Sequence, residues 1–169
     1  MSLLYSTKYP AYCKLPDLPG MHIAPHRVGN GRVWGKSILI NFLEKLAAEW
    51  SARHRDHPFY VGDLSPEGGS GKLQDHASHQ GGLDVDIYVV TQSGLPPPGY
   101  GWIAWNSKEY DQALTKELAQ IIMSLSHGPC IFLDKFFFND REVLTSVPGI
   151  TRWPNHDDHF HIRLKPEFH

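Results

Sequence analysis

Two short stretches near opposite ends of the chain carry the side chains that could do chemistry: His76-Ala-Ser-His79-Gln-Gly-Gly-Leu-Asp84-Val-Asp86 and His156-Asp-Asp-His159-Phe-His161. They hold five of the chain's eleven histidines, interspersed with carboxylates. Imidazole and carboxylate donors drawn from separated segments suit one tetrahedral zinc ion, and a catalytic zinc keeps its fourth position for water. Calcium and magnesium prefer oxygen donors and fit this set poorly, so Zn2+ is the metal expected from ligand type. His156-Asp157 also invites comparison with the His-Asp pair of helical phosphohydrolases. Pro154-Asn155 and the alternating segment behind it speak against a helix there.

The elements that must position these groups are readable from periodicity. Leu83 to Val90 alternates, with Leu83, Val85, Ile87 and Val89 on one face and Asp84, Asp86 and Tyr88 on the other, which is a strand with an apolar back and an acidic front. His159 to Leu164 alternates in the same way, so His159, His161 and Arg163 share a face while Phe160, Ile162 and Leu164 pack behind. If the two strands are neighbours in one sheet, their polar faces form one cleft floor. His79 precedes the acidic strand across Gly81-Gly82, where the backbone can turn tightly. Further elements are a helix from about Lys36 to His54 and a short strand within Pro58 to Leu64. A second helix is expected from a Ser107 cap to about Ser126. Cys130 to Phe138 reads as a buried strand and Asp140 to Thr145 as a short helix. Few long helices and no regular βαβ rhythm indicate an α+β fold with a mainly antiparallel sheet and flanking helices.

The 169 residues read as one domain, 1–169, with residues 1–35 an irregular N-terminal arm. An apolar share of 41% supports a packed core, and 13 Pro with 15 Gly indicate many ordered loops. A formal charge of −2 offers no basic footprint for nucleic acid. No apolar run approaches the roughly 20 residues of a membrane span, and the first residues lack the pattern of a secretory signal. Cys13 and Cys130 are either a pair in an oxidising compartment or two separate buried thiols.

The spacing His79-x6-Asp86 with a distant His159-x-His161 resembles the lysostaphin, D-alanyl-D-alanine peptidase and hedgehog superfamily. Longer strings are more specific: Val61-Gly-Asp-Leu-Ser65, Ala77-Ser-His-Gln-Gly-Gly-Leu-Asp-Val-Asp-Ile87 and His159-Phe-His-Ile-Arg-Leu164. They resemble the penicillin-insensitive murein endopeptidases, which cut peptide cross-links of bacterial peptidoglycan. The resemblance implies a hedgehog/DD-peptidase-like fold, with His79, Asp86 and His161 binding the catalytic zinc. It makes His159 the catalytic base or transition-state stabiliser and His156 a further active-site histidine. His76 matches a histidine associated with an accessory metal, but the remaining accessory ligands have no clear counterpart here.

The expected activity is therefore zinc-dependent hydrolysis of D-alanyl–diaminopimelate cross-links, with His159 handling the proton and His156 donating to the oxyanion. Asp84, on the face of Asp86, is placed to orient a ligand imidazole. Alternatives are a DD-carboxypeptidase or dipeptidase on soluble peptides, and a non-catalytic zinc module of hedgehog type. Without a recognisable signal, the expected setting is synthesis in the cytoplasm and action in the periplasm or cell wall after lysis or dedicated secretion. A phage lysin fits that setting, as does an antibacterial effector with its immunity protein.

Overall fold

The computed structural model describes residues 8–69, 73, 77–96, 103–126 and 132–165. Seven strands and three α-helices follow in the order β1 (Tyr12–Lys14), β2 (Met21–Ile23), β3 (Trp34–Lys36), α1 (Ser37–Arg53), β4 (Phe59–Val61), β5 (Asp84–Tyr88), α2 (Gln112–Ser126), β6 (Leu133–Phe137), α3 (Arg141–Ser146) and β7 (His159–Leu164). The main sheet has the order β2-β4-β5-β7-β6. β2 and β4 run parallel, and every other pairing in the sheet is antiparallel. β1 and β3 form a separate antiparallel pair. The fold is α+β with a mainly antiparallel sheet, as the few long helices and the lack of a βαβ rhythm in the sequence indicate.

One face of that sheet is dry. Val85 and Ile87 of β5, Phe160 and Ile162 of β7 and Phe136 of β6 join one core with Phe42, Leu43, Leu46 and Trp50 of α1 and Leu118 and Ile122 of α2. The helices thus cover the apolar back and leave the polar front free to form a site. Trp50 is fully buried, and its indole N–H donates to the His57 carbonyl at 2.6 Å, which satisfies the one polar atom of that large side chain.

Three expectations need correction. The segment read as an irregular arm contributes β1, β2 and the start of β3, and β2 is an edge strand of the main sheet. Ser107 does not cap α2: the helix begins at Gln112, and Asp111 accepts from the Leu114 N–H at 2.9 Å. Residues 107–110 are instead held in a turn, because Tyr110 pairs with Thr91 and sends its hydroxyl to Asp140 at 2.6 Å. β6 is only partly buried, with Lys135 and Phe137 half-exposed on the front. The pairing of Cys13 with Cys130 lies outside the described residues, since Cys130 is not among them; Cys13 is half-buried. Among the described residues no helix is long and apolar enough to cross a membrane.

Candidate metal centre

The centre is built where β5 and β7 lie side by side. Their register sets Asp84 opposite Arg163, Asp86 opposite His161 and Tyr88 opposite His159. Directly opposed residues on one face come within about 5 Å at Cβ, so the polar parity of both strands converges in three neighbouring pairs. His161 Nδ1 lies 3.0 Å from Asp86 Oδ1, and its Nε2 lies 3.1 Å from Asp84 Oδ1.

His79 reaches the same point from a loop. Its backbone takes φ +65°, in the left-handed region, followed by Gly81 and Gly82 at +83° and +75°. A Cβ on Gly82 would stand 2.5 Å from the Tyr12 ring and 2.8 Å from the Lys36 amide nitrogen, so only glycine lets this loop close against β1 and β3. Gly82 N–H donates to Ser65 Oγ at 3.0 Å, and its carbonyl accepts from the Lys36 N–H at 2.9 Å. Strained backbone of this kind persists where its surroundings over-determine it, and it clusters at functional sites. The result is a fully buried imidazole. Its Nδ1 lies 2.6 Å from the Leu64 carbonyl; a carbonyl only accepts, so Nδ1 carries the hydrogen. Nε2 then turns its lone pair toward Asp86 Oδ1, 3.2 Å away.

His79, Asp86 and His161 could hold a metal ion: one donor atom from each lies within 4.8 Å of the others, and all three residues are buried. The two separations to Asp86 Oδ1, 3.0 and 3.2 Å, approach the edge of about 3.3 Å expected for a tetrahedron of zinc–nitrogen bonds of about 2.0 Å. Both histidines also have an outer acceptor that fixes the tautomer, Leu64 O for His79 and Asp84 for His161, as ligand imidazoles do in metal sites. The donor set therefore fits zinc.

The charges are tightly coupled. Burial opposes ionisation of Asp86, but the neighbouring His159, His79 and His161 imidazoles outweigh it and hold the carboxyl well below its usual range. Burial likewise pushes His161 down, yet Asp84 and Asp86 together raise it to about 9. A proton on His161 is thus held between these carboxylates, and a metal ion bound at this point would compete with it for the imidazole. Asp84 is itself fully buried and accepts from Arg163 Nε at 2.8 Å and Nη2 at 3.1 Å.

His159 stands beside the cluster, with Nε2 3.7 Å from Asp86 Oδ1 and Nδ1 2.8 Å from Asp158 Oδ1. Burial lowers its pKa, but Asp86 and Asp158 override that and raise it. The His156 ring is 5.0 Å from that of His159. Burial first, then the His159 charge, lowers the His156 pKa. Its Nδ1 meets the Pro154 carbonyl at 2.7 Å, so the neutral ring offers Nε2 as an acceptor. A donor role toward an oxyanion therefore needs a second proton on that ring.

An open cavity of about 570 Å³ lies over this front, reached by Ser78, Lys135, Phe137, His156, His159 and Arg163 among others. Among the aromatic residues near this front, Trp153 lines the cavity, 53% exposed and stacked on Phe137 at 5.1 Å between centroids. Trp105 instead anchors the histidine loop, its indole N–H donating to Asp157 at 3.0 Å. Tyr88 is buried, with its hydroxyl 3.0 Å from His26 Nε2. His76 lies outside the described residues. Sequence reasoning missed Asp158, Lys135 and Phe137. Asp158 was legible as the carboxylate next to His159, whereas Lys135 and Phe137 were not.

An α+β domain with two imidazoles and a carboxylate converging beneath an open cleft, beside a carboxylate-held histidine, has the make-up of a metal-dependent hydrolase. Residues 14–119 match the family model for penicillin-insensitive murein endopeptidase, and the chain belongs to that family, a family of metallopeptidases. The match contains His79, Asp84 and Asp86 and ends before β7, which the fold brings against β5. The chain is 31% identical over 156 residues to a penicillin-insensitive murein endopeptidase of Haemophilus influenzae, covering 82% of this chain and 54% of that protein. A protein of the same name from Yersinia pestis is 27% identical over 154 residues, covering 79% and 54%. One from Klebsiella pneumoniae is 24% identical over 168 residues, covering 87% and 58%. The chain spans about half the length of the curated relatives it matches.

Proposed function

We propose that this chain is a zinc metallopeptidase that hydrolyses the D-alanyl–diaminopimelate cross-links of bacterial peptidoglycan. The observation that carries the reading is the convergence of His79, Asp86 and His161 at the foot of a cleft that also holds His159. Membership of a murein endopeptidase family supports the substrate class. His79 Nε2, one Asp86 oxygen and His161 Nδ1 would hold the ion. When bound, zinc supplies Lewis acidity, bringing the pKa of a coordinated water to about 7 and polarising the amide carbonyl.

The chain's own groups do the rest. His159 Nε2 takes a proton as water adds to the carbonyl carbon, and returns it to the leaving nitrogen as the C–N bond breaks. Asp158 holds His159 Nδ1–H and so presents Nε2 to the cleft. Asp84 keeps His161 Nε2–H turned away from the ion. His156, neutral with Nε2 as acceptor, is suited to receive a proton from the cleft, and contributes to the oxyanion only once protonated. The place of action is the cell wall, reached by lysis, as for a phage lysin, or by delivery as an antibacterial effector, in which case co-expression of an immunity protein abolishes killing.

Digestion of purified sacculi, with mass spectrometry of the products, tests the reading. Cross-linked dimers convert to monomers, and a chelator stops the conversion. Loss of terminal D-alanine alone identifies a carboxypeptidase, and no change in any muropeptide refutes the peptidase reading in favour of a non-catalytic zinc module.

A further inference from the structure

The cavity over the metal centre has an unbalanced wall. Besides its histidines, two basic side chains line it, Lys135 and Arg163, and among the described residues no carboxylate does. Arg163 is already committed, since both its contacts go to the buried Asp84 carboxylate. Lys135 is opposite Arg163 in the β6–β7 register and makes no ion pair among the described residues. Its Nζ is 6.0 Å from the centre of the Phe137 ring, which stacks in turn on His161 at 5.9 Å. The cation is therefore held over an aromatic face one ring away from the proposed ligand imidazole. Ala77, Phe137, Trp153 and Pro154 add apolar surface to the same cavity, so a carboxylate entering here meets a lysine partner beside apolar side chains. Charge-assisted hydrogen bonds are strongest under those conditions.

We propose that Lys135 is a carboxylate-binding subsite that reads the residue carrying the scissile nitrogen. The inference rests on the peptidase reading above. In a cross-link whose amine belongs to diaminopimelate, the carbon that bears the leaving nitrogen also bears a free carboxylate. That anion enters the cleft within one residue of the reacting carbonyl, where Lys135 is the uncommitted cation. Lys135 thus selects cross-links with a free carboxylate at that carbon over those in which it is an amide.

The test uses three synthetic cross-linked peptides: one with all carboxylates free, one with the carboxylate beside the scissile nitrogen amidated, and one amidated at the glutamyl carboxylate instead. For the zinc-loaded wild-type chain, kcat/KM for the free peptide exceeds that for the first amide about ten-fold, the value of one modest charge-assisted hydrogen bond. That ratio falls to near one in K135Q, inverts in K135E and is kept in K135R, while the glutamyl amide behaves as the free peptide throughout. A ratio in K135Q equal to that of the wild type overturns the subsite. So does a Lys135 dependence confined to the glutamyl amide. Failure of the folded, zinc-loaded wild type to cleave any of the three overturns the peptidase reading itself, and the subsite with it.

Discussion

Asp84 offers the sharpest separation of structural from metal-directed roles. It is fully buried and holds Arg163 through bonds of 2.8 and 3.1 Å while facing His161 Nε2 at 3.1 Å. Asp84→Asn keeps the shape but removes the charge and turns an amide donor toward groups that donate. Removing one partner of a buried ion pair costs about 3–5 kcal/mol. The Arg163 side chain is 27% exposed and can turn toward water, which lowers the expected loss to about 2–3 kcal/mol. The second effect concerns zinc. Losing the outer partner of a ligating histidine weakens metal affinity about ten- to hundred-fold, or about 1.4–2.8 kcal/mol. Urea unfolding in the presence of a chelator reads the first quantity alone, and competition with a chromophoric chelator reads the second. The reasoning fails for the metal if D84N loses stability but binds zinc within two-fold of the wild type. It fails for the ion pair if chelated D84N unfolds at the wild-type urea concentration.

Other expectations follow from the same contacts. Gly82→Ala forces a Cβ against Tyr12 and the Lys36 nitrogen at a positive φ, so it should lower stability by about 2–4 kcal/mol. Gly81→Ala, with φ +83° and nothing within 4 Å, should lose only about 1 kcal/mol; unfolding curves of the two variants check the difference. Tyr110→Phe removes a buried 2.6 Å bond to Asp140, the cap of α3, and should cost about 1–2 kcal/mol in urea unfolding. The pH dependence should change sign with metal. His161 is raised from 6.5 to about 9 in the folded, metal-free chain, so its contribution is full below about 6.5 and lost as pH rises through 9. Asp84 and Asp86 are lowered, so theirs is present above about 3.8 and lost as pH falls through their folded values. Metal-free protein should therefore be most stable on the acid side of neutrality. If His79 and His161 ligate zinc as proposed, zinc-loaded protein should gain stability toward neutral pH as they give up protons, and thermal melts across pH in each state measure this.

The cleft floor was legible in the sequence because strand parity is a local property. The alternation of residues 83–90 and 159–164 separates core from site without knowledge of the partner strand, and the structure pairs the two acidic and basic fronts directly. α1 was legible for a similar reason, since its buried residues, Ile38 to Trp50, repeat at helical spacing. What failed depended on distant contacts. Ser107 and Asp111 are both competent caps, and the pairing of Tyr110 with Thr91 and Asp140 decides between them. β2 is three residues long and becomes a strand only by docking on β4. On β6 the run Phe132-Leu-Asp-Lys-Phe-Phe137 reads as a buried strand. A register shift between Leu133 and Lys135 instead puts Lys135 and Phe137 beside Arg163 and His161, and such a bulge has no sequence signature here. The turn at Asn155, φ +64°, which aims His156 at His159, was visible only as a Pro-Asn break.

The proposed division of labour between His79, Asp86 and His161 as metal donors and His159 as proton carrier is the central claim. The most direct measurement determines zinc content and cleavage of a purified cross-linked muropeptide dimer on the same preparations of wild type, D86A and H159A. The wild type should carry zinc and convert dimer to monomers, and D86A should lose both zinc and activity. H159A should keep its zinc while its rate falls about 10²–10⁴-fold. Zinc-loaded H159A turning over at a near-normal rate, or a wild-type chain that cleaves dimer with no zinc bound, would contradict it.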